Sequence, residues 1–193
     1  MTTGRGTAFS IHPLTRERWP ALDDLFADSP VCARCWCMAP RIGNGYRRRR
    51  ASANKADFHA VVTQGPPPGL LAFDGELAVA WCQLTPRDAV PALDGMWRLK
   101  RVDDVPVWVL SCFYVRKGYR RHGLTYLLIV EALKAAKRAG APAVEGYPLD
   151  REQTPSATST GVVTTFLRAG FTEVARRVPP RPIMRHDLRK VPG

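Results

Sequence analysis

The sequence lacks any long hydrophobic run. None of its apolar segments approaches the roughly 20 residues that a helix needs to span a bilayer, so we expect no membrane partner. The N-terminal segment also lacks the apolar core and cleavage site of a secretory signal peptide. Together these absences favour a cytoplasmic protein.

Cysteines are few and odd in number. The five are Cys32, Cys35, Cys37, Cys82 and Cys112. An odd set, with two members inside predicted core strands, does not fit the disulfide framework of a secreted domain. The cluster at 32–37 also lacks a fourth zinc ligand, because the nearest candidate, His59, has no matching pair spacing. We therefore predict no metal site.

Acidic residues are in short supply. Asp and Glu number 17 against 29 Lys and Arg, which gives a formal charge of +12. This excess favours an anionic partner, either nucleic acid or a polyphosphate cofactor, although a GC-rich genome also produces arginine-rich proteins. The basic stretch at 47–50 is interpreted as a solvated helix face. Binding of nucleic acid or of the adenosine 3′-phosphate is the less favoured alternative. No aromatic–basic interleaving accompanies the charge, so nucleic acid is not favoured.

The length and the spacing of apolar runs predict one α/β domain over residues 1–193, with its core at about 7–187. Strands are predicted at 9–12, 70–73, 77–84, 107–115, 142–147, 171–176 and 182–186. Helices are predicted between Thr15 and Pro30 and at 51–63, 124–138 and 162–168. An Asp-Gly turn at 74–75 predicts an antiparallel hairpin, and 85–106 is a long connection. The pattern indicates a mixed sheet, antiparallel at its start, with helices on both faces.

The strongest signal is a strand–loop–helix unit at 107–140. A strand that is apolar almost throughout runs into the basic loop Arg116-Lys117-Gly118-Tyr119-Arg120-Arg121-His122-Gly123, which opens a long helix. The first N–H groups of a helix have no intrahelical partner, and the helix dipole adds positive charge there. Such a helix start suits a pyrophosphate, and Gly123 leaves room for the phosphate to approach the backbone.

This unit resembles the cofactor-binding region of the GNAT superfamily of N-acetyltransferases. The family loop reads Arg or Gln, two variable residues, Gly, one variable residue, then Gly or Ala, and 120–125 fits except that Thr125 adds a methyl and a hydroxyl. The late segment 166–171, which ends in Gly-Phe, and the hairpin at 74–81 also resemble the family. The resemblance implies a GNAT-like mixed sheet with splayed central strands and direct acetyl transfer from acetyl-CoA to an amine.

The resemblance also implies which residues bind the cofactor. The loop and helix start would hold the pyrophosphate through backbone N–H groups, while the end of the preceding strand would pair with the pantetheine amides. The implied residues are Phe113, Tyr114, Val115, Arg120, Arg121, His122, Gly123, Leu124, Thr125 and Tyr126.

The sequence lacks the proton-transfer residues that many members of the family use. Phe166 stands where many family members have a proton-donating Tyr, and 109–112 lacks the Glu that others use. We predict Glu145 as the general base, with Tyr147 and Asp150 as nearby alternatives, against the alternative that Glu145 is an exposed strand carboxylate. Cys112 is interpreted as a small core residue rather than a nucleophile.

The Cys-Trp-Cys-Met segment at 35–38 resembles a subset of GNAT-like proteins in which it borders the acceptor pocket. Trp36, Met38 and Arg41 would then contact the substrate, and packing between the first two helices is the equal alternative. The acceptor itself, a small-molecule or peptide amine, is not identified. A non-catalytic CoA-binding regulatory module is the competing function, and family members often form homodimers.

Overall fold

The computed structural model describes residues 9–150 and 159–189. The strands are β1 (Ser10–Pro13), β2 (Gly69–Asp74), β3 (Leu77–Pro86), β4 (Trp108–Val115), β5 (Ala143–Gly146), β6 (Thr172–Val178) and β7 (Arg181–Asp187). The helices are α1 (Trp19–Ala27), α2 (Pro30–Cys35), α3 (Ala39–Ile42), α4 (Gly45–Arg48), α5 (Ala51–Gln64), α6 (Leu124–Arg138) and α7 (Val163–Arg168). Within these ranges the longest helix has 15 residues, and none combines the length and apolarity of a bilayer-crossing segment.

The seven strands form one sheet in the order β1-β2-β3-β4-β5-β7-β6. Every neighbouring pair is antiparallel except β4 and β5, which run parallel across the α6 crossover. The sheet is therefore mixed and antiparallel at its N-terminal side, which confirms the predicted fold class.

The central strands β4 and β5 separate after a short stretch of pairing. Only Trp108, Val109 and Leu110 pair with β5, while β4 continues to Val115 along its other neighbour, β3. Because an unpaired strand edge presents free N–H and C=O groups, this splay leaves a polar backbone edge beside a gap in the sheet.

Alternate residues of the strands face two different helical layers. Leu70 and Ala72 pack with α6 and α7, whereas Leu71 and Phe73 pack with α1 and α5. A third cluster, formed by Val107, Val109, Ala143, Tyr147 and Ile183, lies under the connection between β3 and β4. The helices on both faces agree with the sequence pattern.

Two local predictions need correction. The first helix ends before Pro30 as expected, but Pro30 was not predicted to begin α2. It occupies the first turn of that helix, where a missing N–H costs nothing, and the Ser29 hydroxyl caps the helix by accepting from the Cys32 N–H at 3.3 Å. The predicted first helix is also shorter, since residues 16–18 form a 3₁₀ turn before α1.

Candidate active site

The start of α6 follows β4 through the short basic loop. Gly123 precedes the helix with a φ of 77°, and Arg121 has a φ of 68°. Glycine is favoured at such left-handed positions because it has no Cβ. The first bond of the helix runs from the Leu127 N–H to the Gly123 carbonyl at 3.1 Å. The N–H groups of residues 124–126 therefore have no partner in the described part of the chain.

The loop surface around this helix start is open and positively charged. Arg120, Arg121 and His122 are exposed, and neither arginine pairs with a described carboxylate. A Cβ placed on Gly123 would meet no heavy atom within 4 Å. Unpaired N–H groups, the helix dipole and mobile guanidinium groups together make a site suited to a phosphate-bearing anion.

The free edge of β4 is occupied by groups of the chain itself. The Phe113 N–H donates to the Ser159 carbonyl at 2.6 Å, and the Val115 carbonyl accepts from Arg120 Nε at 3.3 Å. A ligand that paired with this edge would have to displace both contacts. The chain therefore occupies this edge of β4 itself, and pairing of the edge with pantetheine stays a prediction.

The side chains of the predicted cofactor residues point in different directions. Phe113 is buried in the α6 layer, whereas Tyr114 faces α1, where burial raises the pKa of its hydroxyl. Leu124, the first residue of α6, is buried, and the Arg168 guanidinium lies 4.3 Å from the centre of the Tyr126 ring. A single ligand bound by all of these residues would therefore contact them mainly through backbone groups and through the guanidinium groups of Arg120 and Arg121.

Phe166 of α7 lies in the core rather than at the surface. Its ring makes edge contacts with Phe113 and Phe171 at centroid distances of 6.1 and 5.0 Å. A Cβ on Gly146 would lie 2.1 Å from this ring, so glycine is required where β5 passes Phe166. Phe166 has no hydroxyl, and the structure supplies no proton donor at its position.

Glu145 is buried in an ion network beneath the β3–β4 connection. It is 1% exposed, and its Oε1 accepts from Arg185 Nη2 at 2.7 Å and from Arg185 Nε at 3.1 Å. Its Oε2 accepts from the Tyr147 hydroxyl at 3.2 Å and lies 3.5 Å from Arg87 Nη1. Both carboxylate oxygens are therefore occupied, and the alternative of an exposed strand carboxylate is wrong.

The network extends to two outer carboxylates. Arg87 Nη2 contacts Asp94 Oδ1 at 2.7 Å, and Arg185 Nη1 contacts Asp103 Oδ2 at 2.7 Å. Burial, together with the charge of Glu145, raises the pKa of Tyr147, which keeps its hydroxyl protonated at neutral pH. Glu145 and Tyr147 as catalytic residues stay a prediction, and the network gives them a competing structural role.

The 35–38 segment packs in one hydrophobic cluster with α1, α5 and strands β2 and β3. Trp36 and Met38 are buried, and Trp36 stacks on Trp19 at a centroid distance of 5.3 Å. Trp36 and Cys37 adopt left-handed φ values of 47° and 53°, which are uncommon outside glycine. This burial favours packing for Trp36 and Met38. Arg41 is only partly buried, and its Nη1 donates to the Ala89 carbonyl at 2.8 Å.

The thiol of Cys37 accepts from Trp81 Nε1 at 3.2 Å. The interaction between Cys37 and Cys112 raises the pKa of Cys37 and lowers that of Cys112. All five cysteines are free. Across residues 9–150 and 159–189, no three metal-ligating side chains converge.

Sequence comparison places this architecture in a known family. The model of the acetyltransferase (GNAT) family matches residues 19–147, which span α1 to the end of β5 and include the β4–loop–α6 unit. The chain belongs to the GNAT acetyltransferase family. A search of curated proteins finds no match to the sequence.

Solved structures similar to this GNAT protein share its fold at low identity. PaiA N-acetyltransferase from Thermoplasma acidophilum, in complex with coenzyme A, is 15% identical with a TM-score of 0.54 and covers 93% of this chain and 99% of its own. YncA from Salmonella typhimurium, a putative acetyltransferase with acetyl-CoA, is 15% identical with a TM-score of 0.57, covering 96% and 97%. The loading GNATL domain of CurA from Lyngbya majuscula is 13% identical with a TM-score of 0.57, covering 94% and 98%.

Three polar residues of this GNAT protein were not predicted from the sequence to lie in or near the site. Gln83, Arg87 and Arg185 lie within or beside apolar strands, and Glu145 is separated from the two arginines by 58 and 40 residues. No local spacing links such distant partners. The one available signal was Gln83, a lone uncharged polar residue inside the apolar run at 77–84.

Proposed function

We propose that this GNAT protein is an acetyl-CoA-dependent N-acetyltransferase built as one acyltransferase domain. The observation that carries the proposal is the open start of α6, where the N–H groups of residues 124–126 are unpartnered beside the end of β4. Similar structures contain coenzyme A or acetyl-CoA, which supports the same cofactor here. A pyrophosphate would take these N–H groups together with the loop cations.

The thioester would lie where β4 and β5 separate. Pantetheine would pair with the β4 edge after Ser159 and Arg120 release Phe113 and Val115. Its acyl group would then reach the sheet beyond Leu110, beside Ser111 and Cys112. An amine held on the opposite side of the gap would attack the thioester carbonyl directly.

The chemistry would rest on positioning more than on a dedicated acid. Holding the amine against the carbonyl, and polarising that carbonyl with a backbone N–H, supplies much of the rate of acyl transfer. Glu145 and Tyr147 remain the proposed proton-transfer groups, although the carboxylate is already bonded to Arg185 and Tyr147. Phe166 supports the alternative of a CoA-binding module without catalysis.

A matched pair of glycine variants tests the cofactor site. Gly123 and Gly140 lie at opposite ends of α6 with φ values of 77° and 78°, and neither would bring a new Cβ within 4 Å of another atom. Alanine at either position therefore adds a similar backbone strain. We expect Gly123→Ala to weaken acetyl-CoA binding by roughly tenfold, equal to about 1.4 kcal/mol, while Gly140→Ala leaves the affinity unchanged.

Calorimetry with acetyl-CoA gives the affinities, and a thiol-release assay over a panel of amines detects transfer. Acetylated product identified by mass spectrometry distinguishes transfer from hydrolysis. Binding without product for any amine would favour the regulatory module, and no binding of acetyl-CoA to the folded wild-type protein would overturn both functions.

A further inference from the structure

Arg41 has one hydrogen-bonding edge in use and one left empty. Its Nη1 donates to the Ala89 carbonyl at 2.8 Å, and its guanidinium lies 6.0 Å from the centre of the Phe58 ring. Its Nε and Nη2 atoms are shielded from solvent and have no hydrogen-bond partner among residues 9–150 and 159–189. Burial lowers the pKa of this guanidinium, as expected for a cation with no carboxylate beside it.

The empty edge is the one that binds carboxylates elsewhere in this molecule. Nε and Nη2 of Arg185 contact Glu145 at 3.1 and 2.7 Å, and the same two atoms of Arg87 contact Asp94 at 3.1 and 2.7 Å. This side of a guanidinium presents two parallel N–H groups that match a carboxylate. Arg41 therefore has the geometry of a carboxylate receptor that lacks its carboxylate.

Gln83 supplies a second unpartnered donor. It is fully buried, and its Oε1 accepts from the Ser111 hydroxyl at 2.9 Å, which fixes the orientation of the amide. Its Nε2 has no hydrogen-bond partner in the part of the chain that the structure describes. A buried N–H without a hydrogen-bond partner destabilises the folded protein, so each such group needs an explanation.

The two groups border the same part of the sheet. Gln83 lies opposite Cys112 in the β3–β4 ladder and two residues after Trp81, whose ring centre is 6.1 Å from that of Phe58. The Arg41 guanidinium lies 6.0 Å from the centre of the same Phe58 ring, and Cys37 and Cys112 pack in the cluster that contains it. This region adjoins Leu110, where β4 and β5 separate and where the thioester is proposed to lie.

We propose that the acceptor is an amine that also carries a carboxylate, such as an amino acid. The Nε and Nη2 edge of Arg41 binds the carboxylate, and Gln83 Nε2 donates to a polar atom of the acceptor. The amine then faces the splayed end of β4. This inference rests on the proposed acetyltransferase function. Because the donors are shielded, the acceptor displaces neighbouring side chains when it enters.

Paired acceptors test the inference. Each amino acid of a panel is compared with its carboxamide, which has the same amine and no carboxylate, and kcat/KM is measured for both. We expect the wild-type protein to prefer the acids by on the order of tenfold to a hundredfold. In Arg41→Met the ratio of acid to amide should approach one, mainly through KM, while acetyl-CoA binds as before.

Arg34→Met is the matched control. Arg34 also donates from one Nη atom to a backbone carbonyl, that of Arg47 at 2.8 Å, but it is outside this region and exposed to solvent. We expect this variant to keep the wild-type preference for acids. An equal loss of preference in both variants would point to a structural effect and overturn the assignment.

The outcomes distinguish failure of the carboxylate site from failure of the proposed acetyltransferase function. Turnover of acids and amides with equal kcat/KM would overturn the carboxylate site and leave the acetyltransferase intact. If no amine is acetylated, binding of the acids is measured by thermal shift. A rise in melting temperature that is lost in Arg41→Met supports the site, and the absence of any rise overturns it.

Discussion

Two arginine-centred regions lie on the same side of the sheet and differ in one respect. Around Glu145, every carboxylate oxygen and both guanidinium groups are paired within the protein. Around Arg41, the matching guanidinium edge and Gln83 Nε2 have no hydrogen-bond partner in the described part of the chain, while Gln83 Oε1 accepts from Ser111. Since buried polar groups are normally satisfied, the first region has the character of a structural element and the second that of a binding surface.

The largest expected loss of stability comes from disrupting the ion pairs that Glu145 makes with Arg87 and Arg185. Glu145→Gln leaves Arg87 and Arg185 with uncompensated charge in a buried site, which typically costs about 3–5 kcal/mol. Glu173→Gln is the control, because Glu173 pairs with Arg176 near the surface and such pairs contribute less than about 1 kcal/mol. Urea denaturation measures both. Full stability of Glu145→Gln with a loss of kcat would instead identify Glu145 as the general base.

A comparison of two buried amides sharpens the contrast. Asn54 Nδ2 donates to the carbonyls of Arg34 at 2.8 Å and Tyr46 at 2.9 Å, so Asn54→Leu strands two acceptors and should cost about 2–3 kcal/mol. Gln83→Met removes the Nε2 donor, which has no partner among the described residues, and the Oε1 acceptor of the half-buried Ser111 hydroxyl. We expect it to change the free energy of unfolding by less than about 1 kcal/mol, as measured by the same denaturation.

Equal losses in the two amide variants would break the comparison. They would show that Gln83 stabilises the fold as Asn54 does, and Gln83 Nε2 would no longer be a candidate donor to an acceptor. A lower affinity for carboxylate-bearing acceptors in Gln83→Met, at unchanged stability, would strengthen it.

The smallest expected effect is on acid sensitivity. The hydrogen bond from Arg185 lowers the pKa of Asp103, so this carboxylate stabilises the fold at neutral pH. That stabilisation is complete above the unfolded pKa of about 3.9 and is lost as the pH falls through the lower folded value. Asp103→Asn should flatten the fall in melting temperature below about pH 4. Arg41→Met should leave that fall unchanged, because no described carboxylate pairs with Arg41.

The fold could be predicted from sequence because its signals are local. The hairpin at 74–75, the apolar β4 and the glycines at both ends of α6 each act through neighbouring residues. The short helices α2 to α4 were missed because their sequences contain prolines and glycines that also occur in turns. Pro30 shows the ambiguity, since proline ends a helix at one position and begins it at another.

The site was predictable only in part. The α6 helix start was found because β4, the loop and the helix are consecutive in the chain. The partners of Glu145 were missed because Arg87 and Arg185 meet it only after the sheet has formed. A sequence also does not show which buried polar groups lack a partner. Arg41 could be singled out only from the structure, in which Nε and Nη2 are buried without a hydrogen-bond partner among the described residues.

If pantetheine pairs with β4 as proposed, it competes with the bond between the Phe113 amide and the Ser159 carbonyl. The apparent dissociation constant then equals the intrinsic constant divided by the fraction of molecules in which this bond is open. An open fraction of about 1% would weaken the measured affinity about a hundredfold. An acceptor that drew residues 159–161 away from β4 would restore that factor, so the two substrates would bind cooperatively through a single backbone amide.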